Sequence, residues 1–207
     1  MKLNSISEAL IDLRRGKLVI VADDEDRENE GDFIGSADKC TPEMINFMAT
    51  HGRGLICTAI TDKRAKELKL SPMVVNGQND SPYATPFTVS VDFKYGTTTG
   101  LSADDRAKTV KALSDSRVTS DDFLKPGHVF PLVAAVGGVF EREGHTEATI
   151  DLMDLAGLSG AGVLCEIMNT DGSMARIPDL LEISKKFGLK IITIKDLINY
   201  KLRYESR

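Results

Sequence analysis

The chain has 207 residues, of which 42% are hydrophobic and 28% charged, with a formal net charge of −5. That length allows one substantial core, the acidic balance argues against a nucleic-acid surface, and the longest apolar stretch, FPLVAAVGGVF, is too short to span a bilayer. Cys40, Cys57 and Cys165 are widely spaced with no CxxC pair, which argues against a disulfide framework or a zinc site, so a cytoplasmic protein with neither membrane nor nucleic-acid partner is expected.

Ser5 and Glu8 have the spacing of a capping box, apolar residues recur at Ile6, Leu10 and Leu13, and Gly16 marks a stop, so the first element is a helix. KLVIVA then predicts a strand, DFIGSA a second, TPEMINFMATHG a helix with Pro at its first position, and GLICTAIT another strand. Residues 62–69 read as a short helix, 71–86 as a loop rich in Pro, Asn and Ser, and FTVSVDF as a half-buried strand. A helix starts near Ser102. HVFPLVAA, AGVLCEIMN and KIITI follow as strands, alternating with helices over GHTEATIDLMDLAG and IPDLLEISKKFG and a closing helix from Lys195. Helices and strands interleave, yet some strands follow one another directly. The expected fold is therefore α+β (mixed α/β): one domain over residues 1–207 with a mixed sheet packed by helices.

Between the first two strands, VADDEDRENEGD carries seven carboxylates in twelve residues, with apolar residues on both sides. If strand geometry persisted, Asp24, Asp26, Glu28, Glu30 and Asp32 would share one face and Arg27 would point away. Unit charges about 7 Å apart repel by about 0.6 kcal/mol in water and about 2.5 kcal/mol at an effective dielectric near 20. A buried cluster of this kind needs a cation or protons; a solvated acidic loop does not. An EF-hand reading fails: with Asp26 first, the third and fifth places are Glu28 and Glu30, and Ala37 stands where the closing Glu belongs.

There is no GxGxxG after a strand and no GxxxxGK[ST]. EREGHTEATIDL offers another anion site, with Arg142 before a turn at Gly144 and the free amides of a helix starting near Thr146, although the same residues could form a plain helix cap. His145 lies in that turn. With Glu28 it makes a candidate ligand pair for a divalent cation. His128 in KPGHVFP is a candidate for proton transfer or an ordinary turn residue, and Glu166 is a carboxylate in an apolar strand that needs a partner or an edge position. Cys57 reads first as a small hydrophobe, and Thr99 and Ser102 as helix-capping or anion-binding hydroxyls.

Taken in order, DDEDRENEGD, GLICTAIT, FTVSVDF with TTTGLSADDRAKT, PGHVFPL, GHTEATIDL and GVLCEIMN closely resemble the 3,4-dihydroxy-2-butanone 4-phosphate synthase family over nearly the whole chain. The resemblance implies a homodimeric lyase of riboflavin biosynthesis that converts D-ribulose 5-phosphate to L-3,4-dihydroxy-2-butanone 4-phosphate and formate with Mg2+, for which Mn2+ can substitute. Residue by residue, it implies Glu28 and His145 as metal ligands, and Arg27, Glu28 and Asp32 as contacts to the sugar. Arg142, Glu143, Gly144, His145 and Thr146 match the segment that grips substrate, including its phosphate end. His128 and Glu166 match two catalytic positions, Asp32 and Cys57 are carried over as further catalytic residues, and Thr99, Ser102 and Glu30 complete the set. Glu143 departs from the small residue of many relatives and is expected to face solvent. The GTP cyclohydrolase II domain that follows in some relatives is not expected here. Two competing readings remain: a metal-dependent phosphosugar isomerase or aldolase, which would release no formate, and a binding protein without turnover.

Overall fold

The run LVIV is apolar without alternation because β1 (Val19–Ala22) lies inside a seven-stranded sheet that is covered on both faces. The computed structural model describes residues 3–74 and 78–205. Residues 75–77 of the expected loop, and 1–2 and 206–207 of the expected domain, lie outside the described residues. Strand order is β4-β5-β3-β6-β2-β1-β7, with β2 (Gly31–Ser36), β3 (Cys57–Ile60), β4 (Val91–Phe93), β5 (Phe123–Val133), β6 (Ala161–Glu166) and β7 (Lys190–Thr193). β1 with β7 and β3 with β5 are parallel pairs and the others antiparallel, so the sheet is mixed as expected.

One face of the sheet buries Ile20, Phe33, Val163 and Cys165 against α2 (Pro42–Phe47), α3 (Asp62–Glu67), α4 (Ala103–Ser114) and α6 (Ile177–Phe187). The other buries Val19, Val21, Ile34 and Leu164 against α1 (Ile6–Arg14), α5 (His145–Ala156) and α7 (Ile194–Glu205). Each fully buried aliphatic side chain contributes about 1.5–3 kcal/mol, so the two layers hold the sheet from both sides. The caps read from the sequence form: Ser5 accepts from the amide of Glu8, whose carboxylate accepts from the Ser5 amide, and Thr41 caps α2.

Four local expectations are corrected. FTVSVDF is a full strand only over Val91–Phe93, while Phe87 and Thr88 make isolated bridges to Leu132 and Pro72. β5 begins at Phe123 and runs through LKPG, which reads as a turn. Pro126 is tolerated because the register slips between Val91 and Asp92, so its missing N–H falls at a break in the ladder. α2 ends at Phe47, and the helical run continues as a π turn over Met48–Gly52, closed by Arg53 in the left-handed region. The acidic run does not continue β1: Glu25 to Glu28 turn back on themselves, leaving Asp24 and Asp26 exposed.

Candidate active site

Asp23, the first carboxylate after β1, folds the acidic loop. One of its oxygens accepts from the Glu30 amide at 2.8 Å, and the other from the Glu28 amide at 3.0 Å and from Arg27 Nη1 at 2.9 Å. Asn29 takes a left-handed conformation, and Arg176 at the N-terminus of α6 donates to the carbonyls of Glu28 and Asn29. Arg27 therefore turns toward the carboxylates, not away from them, because Asp23 supplies the anion that draws it in. Asp23→Ala leaves these buried donors unpaired and is expected to cost about 2 kcal/mol, lowering Tm by roughly 4–8 °C for a chain of this size. A thermal melt checks it; an unchanged Tm would mean the loop finds other partners.

Glu28 lies with Oε2 2.5 Å from Arg27 Nη1 and 3.7 Å from Nδ1 of His145, the first residue of α5. His145 Nε2 donates to the Val21 carbonyl at 3.1 Å, so the ring is held and Nδ1 is the atom presented to Glu28. His145 holds Glu28 down to about 2, with Arg27 assisting against burial. Burial alone would lower His145, but Asp32, Glu28 and Asp23 raise it to about 9. Ligand atoms of Asp23, Glu28 and His145 all lie within 4.8 Å of one another. Carboxylate oxygens with one imidazole nitrogen suit a hard divalent cation. Asp23 is occupied by three hydrogen bonds, so the cluster offers a cation Glu28 and, once a metal displaces its Nδ1 proton, His145.

Asp32 on β2 pairs across the sheet with Glu166 on β6. Burial, reinforced by Glu166 and opposed by His145, pushes Asp32 up to about 7, where a carboxyl can both give and take a proton. Glu166 finds the partner that an apolar strand demands: its Oε2 accepts from the Leu55 amide at 2.8 Å. Cys57 is buried beside these carboxylates, and burial first, then their charge, holds its thiol protonated.

Arg142 comes from the turn before α5. Its Nη1 donates to the fully buried Glu147 at 2.6 Å and its Nη2 to the Tyr83 carbonyl at 3.1 Å. Gly144 caps α5 with no side-chain acceptor, so the first amides of the helix are left for another anion. Arg27, Glu28, Glu30, Asp32, Arg142, His145, Thr146 and Glu166 all line one cavity of about 140 Å³. A larger cavity of about 500 Å³ lies under the 71–86 loop without such a cluster.

Glu143 is exposed, as are Thr99 and Ser102, and the Ser102 hydroxyl caps α4. His128 also stands apart. Its ring Nδ1 is 2.7 Å from Asp92 Oδ2 and its amide donates to Asp92 Oδ1 at 2.8 Å. Carried two residues beyond the paired segments, the β3–β5 and β3–β6 registers place His128, Leu55, Glu166 and Asp32 in one row across the sheet. His128 is two strands from Glu166, about 10 Å. The sequence reading did not single out Asp23, Tyr83, Thr85, Phe87 or Glu147, of which Thr85 and Phe87 line the cavity. The position of Asp23 at the end of the strand was the only available signal.

An acidic cluster with the donor set for a divalent cation lies beside an arginine and a helix N-terminus without a side-chain cap, on a mixed sheet layered by helices, the arrangement of a metal-dependent enzyme site. The chain belongs to the 3,4-dihydroxy-2-butanone 4-phosphate synthase family, whose sequence profile matches residues 7–200. It is 58% identical over 207 residues to the riboflavin biosynthesis protein RibBA of Aquifex aeolicus, covering 99% of this chain and 50% of that one. It is also 58% identical over 196 residues to RibBA of Bacillus subtilis, covering 95% and 48%. The chain thus spans about half the length of the curated relatives it matches. A solved 3,4-dihydroxy-2-butanone 4-phosphate synthase in complex with two magnesium ions superposes with a TM-score of 0.93 at 38% identity, covering 98% of this chain and 99% of that one. The two-domain RibBX of A. baumannii gives 0.91 at 47% identity, covering 96% and 58%. Among the described residues no helix is long and apolar enough to cross a membrane.

Proposed function

We propose that this chain converts D-ribulose 5-phosphate to L-3,4-dihydroxy-2-butanone 4-phosphate and formate, as a step of riboflavin biosynthesis. The observation that carries the reading is the convergence of Glu28, His145, Asp32 and Arg142 on one small cavity in a chain of this family. Glu28 and His145 would hold Mg2+, for which Mn2+ can stand in. The ion supplies a fixed positive charge that stabilises oxyanions developing on neighbouring substrate oxygens.

The protein's own groups do the rest. Arg142, fixed by Glu147, and the free amides at the start of α5 hold the phosphate, with the Thr146 hydroxyl beside them. Arg27 and Glu30 orient the sugar hydroxyls. Asp32, poised near neutrality, moves protons at its Oδ atoms, and Glu166 faces the same substrate from the next strand with its Oε2 steadied by Leu55. Cys57 packs in the core behind the two carboxylates as a neutral thiol, which suits it to shape the site and not to act as a nucleophile. Glu143, exposed, stays outside the phosphate contact.

His128 acts in the site of a second copy, within a homodimer. Two observations support this. It lies two strands from Glu166, too far for a shared hydrogen bond, and its ring lies against Gly100, whose neighbour Leu101 is exposed and open to a partner. The buried Asp92 orients the ring so that Nε2 faces outward. In this reading Thr99 and Ser102, near His128, also reach the partner's site.

The test is ribulose 5-phosphate labelled at C4 with carbon-13, followed by NMR with magnesium and with chelator. Labelled formate only in the presence of metal supports the proposal; isomerised or cleaved sugar without formate would instead favour an isomerase or aldolase. Arg142→Ala is expected to raise KM for ribulose 5-phosphate by about 10–100-fold, the loss of a charge-assisted contact worth roughly 1.5–3 kcal/mol. An unchanged KM in steady-state assays would place the phosphate elsewhere.

A further inference from the structure

The two arginines of the site arrive from segments more than a hundred residues apart in sequence, and a single exposed tyrosine touches both. The 71–86 loop is closed at its base by hydrogen bonds from the Met73 amide to the Phe87 carbonyl and from the Val89 amide to the Ser71 carbonyl. Its tip is built from its own polar groups: the Ser81 amide and hydroxyl donate to Asn79, the Thr85 amide donates to the Ser81 hydroxyl, and Ala84 takes a left-handed conformation. None of these bonds uses the Tyr83 side chain. That side chain is free to reach out of the loop. Its hydroxyl donates to the Arg27 carbonyl at 2.5 Å, and the Arg27 guanidinium lies 4.9 Å from the centre of its ring. The Tyr83 carbonyl accepts from Arg142.

We infer that Tyr83 is a positioning residue that fixes the Arg27 guanidinium relative to Arg142, so that the sugar and phosphate ends of one substrate are gripped at a set separation. The inference rests on the proposed function and deepens it. The contacts form a continuous series from Asp23 and Glu28 through Arg27, Tyr83 and Arg142 to Glu147. Arg27 has a second reason to accept the ring: its Nη1 is hydrogen-bonded to the carboxylates of Asp23 and Glu28, which leaves the planar group free to lie against an aromatic ring. Two like-charged guanidiniums facing one cavity repel; each is anchored by its own carboxylates, and Tyr83 adds a contact that ties one to the other. A preset spacing lowers the ordering that the substrate must otherwise impose.

The experiment compares the unmodified chain with Tyr83→Ala and Tyr83→Phe at saturating magnesium. The assay is formate release from ribulose 5-phosphate, with Tm and the rate of cleavage after Arg27 by an arginine-specific protease as companion measurements. Tyr83→Ala is expected to raise KM about tenfold with kcat changed less than about threefold, to leave Tm in place, and to speed cleavage after Arg27. Tyr83→Phe keeps the ring and loses the hydroxyl bond, so its KM falls between. If KM for Tyr83→Ala matches the unmodified chain while formate is still made, the inference is overturned, whether or not cleavage accelerates, since faster cleavage alone marks a merely structural contact. No formate from the unmodified chain would instead overturn the functional proposal, and the role of Tyr83 in that reaction with it.

Discussion

Glu28→Gln is expected to lower formate production by about a thousandfold or more, the scale seen when one electrostatic element of an active site is removed, and magnesium in excess is not expected to restore it. The amide keeps the shape of the side chain and can still accept from Arg27, so the fold of the loop, which depends on Asp23, should survive. What disappears is the negative charge 3.7 Å from His145 Nδ1. A neutral oxygen there attracts a divalent ion far less, and His145 alone cannot hold it against water. Formate release measured across magnesium concentrations, with Tm as a control for folding, separates the cases. Full activity at limiting magnesium would remove Glu28 from the metal site, and equal loss of Tm and activity would make it a folding residue.

The elements of the fold were legible because their signals are local. KLVIVA, bounded by turns, reads as a strand, its cover on both faces being added by the structure, and the Ser5 and Glu8 spacing fixes a helix start in four residues. The acidic run was legible as a cluster but not as a shape. Extending the strand period beyond Ala22 put Arg27 on the wrong side, since the loop turns on hydrogen bonds to Asp23 that no periodicity encodes. Tyr83, Thr85 and Phe87 sit in a stretch whose conformation comes from Asn79 and Ser81, which accept from nearby amides while Asn79 also donates to the Thr85 carbonyl. Their approach to Arg27, far away in sequence, is a product of tertiary packing. Glu147 was hidden for another reason: in GHTEATIDL it looks like an ordinary acidic residue in a first helical turn. Burial converts it into the anchor of Arg142 and of the Ala135 amide. The site residues named from resemblance fall into two groups in space, one around Glu28 and His145 and one around His128, and only a structure could separate them.

That separation leads to the second large effect. His128→Ala and Glu28→Gln homodimers should each be inactive, yet a mixture refolded or exchanged together should regain activity. In a two-fold dimer whose sites each take Glu28 from one chain and His128 from the other, a mixed dimer contains one site with both substitutions and one with neither. Random pairing makes half of the dimers mixed, so the recovered activity should be about a quarter of the unmodified enzyme. If His128 served its own chain, every site in the mixture would carry one substitution and nothing would return. The geometry favours recovery: His128 is held by Asp92 with its free nitrogen turned outward, two strands from Glu166, on a surface where Leu55 and Leu101 are 43% and 58% exposed. A gel-filtration mass of one chain, or a mixture that stays inactive after verified exchange, would return His128 to its own chain and require the substrate to bridge the row from Asp32 to His128.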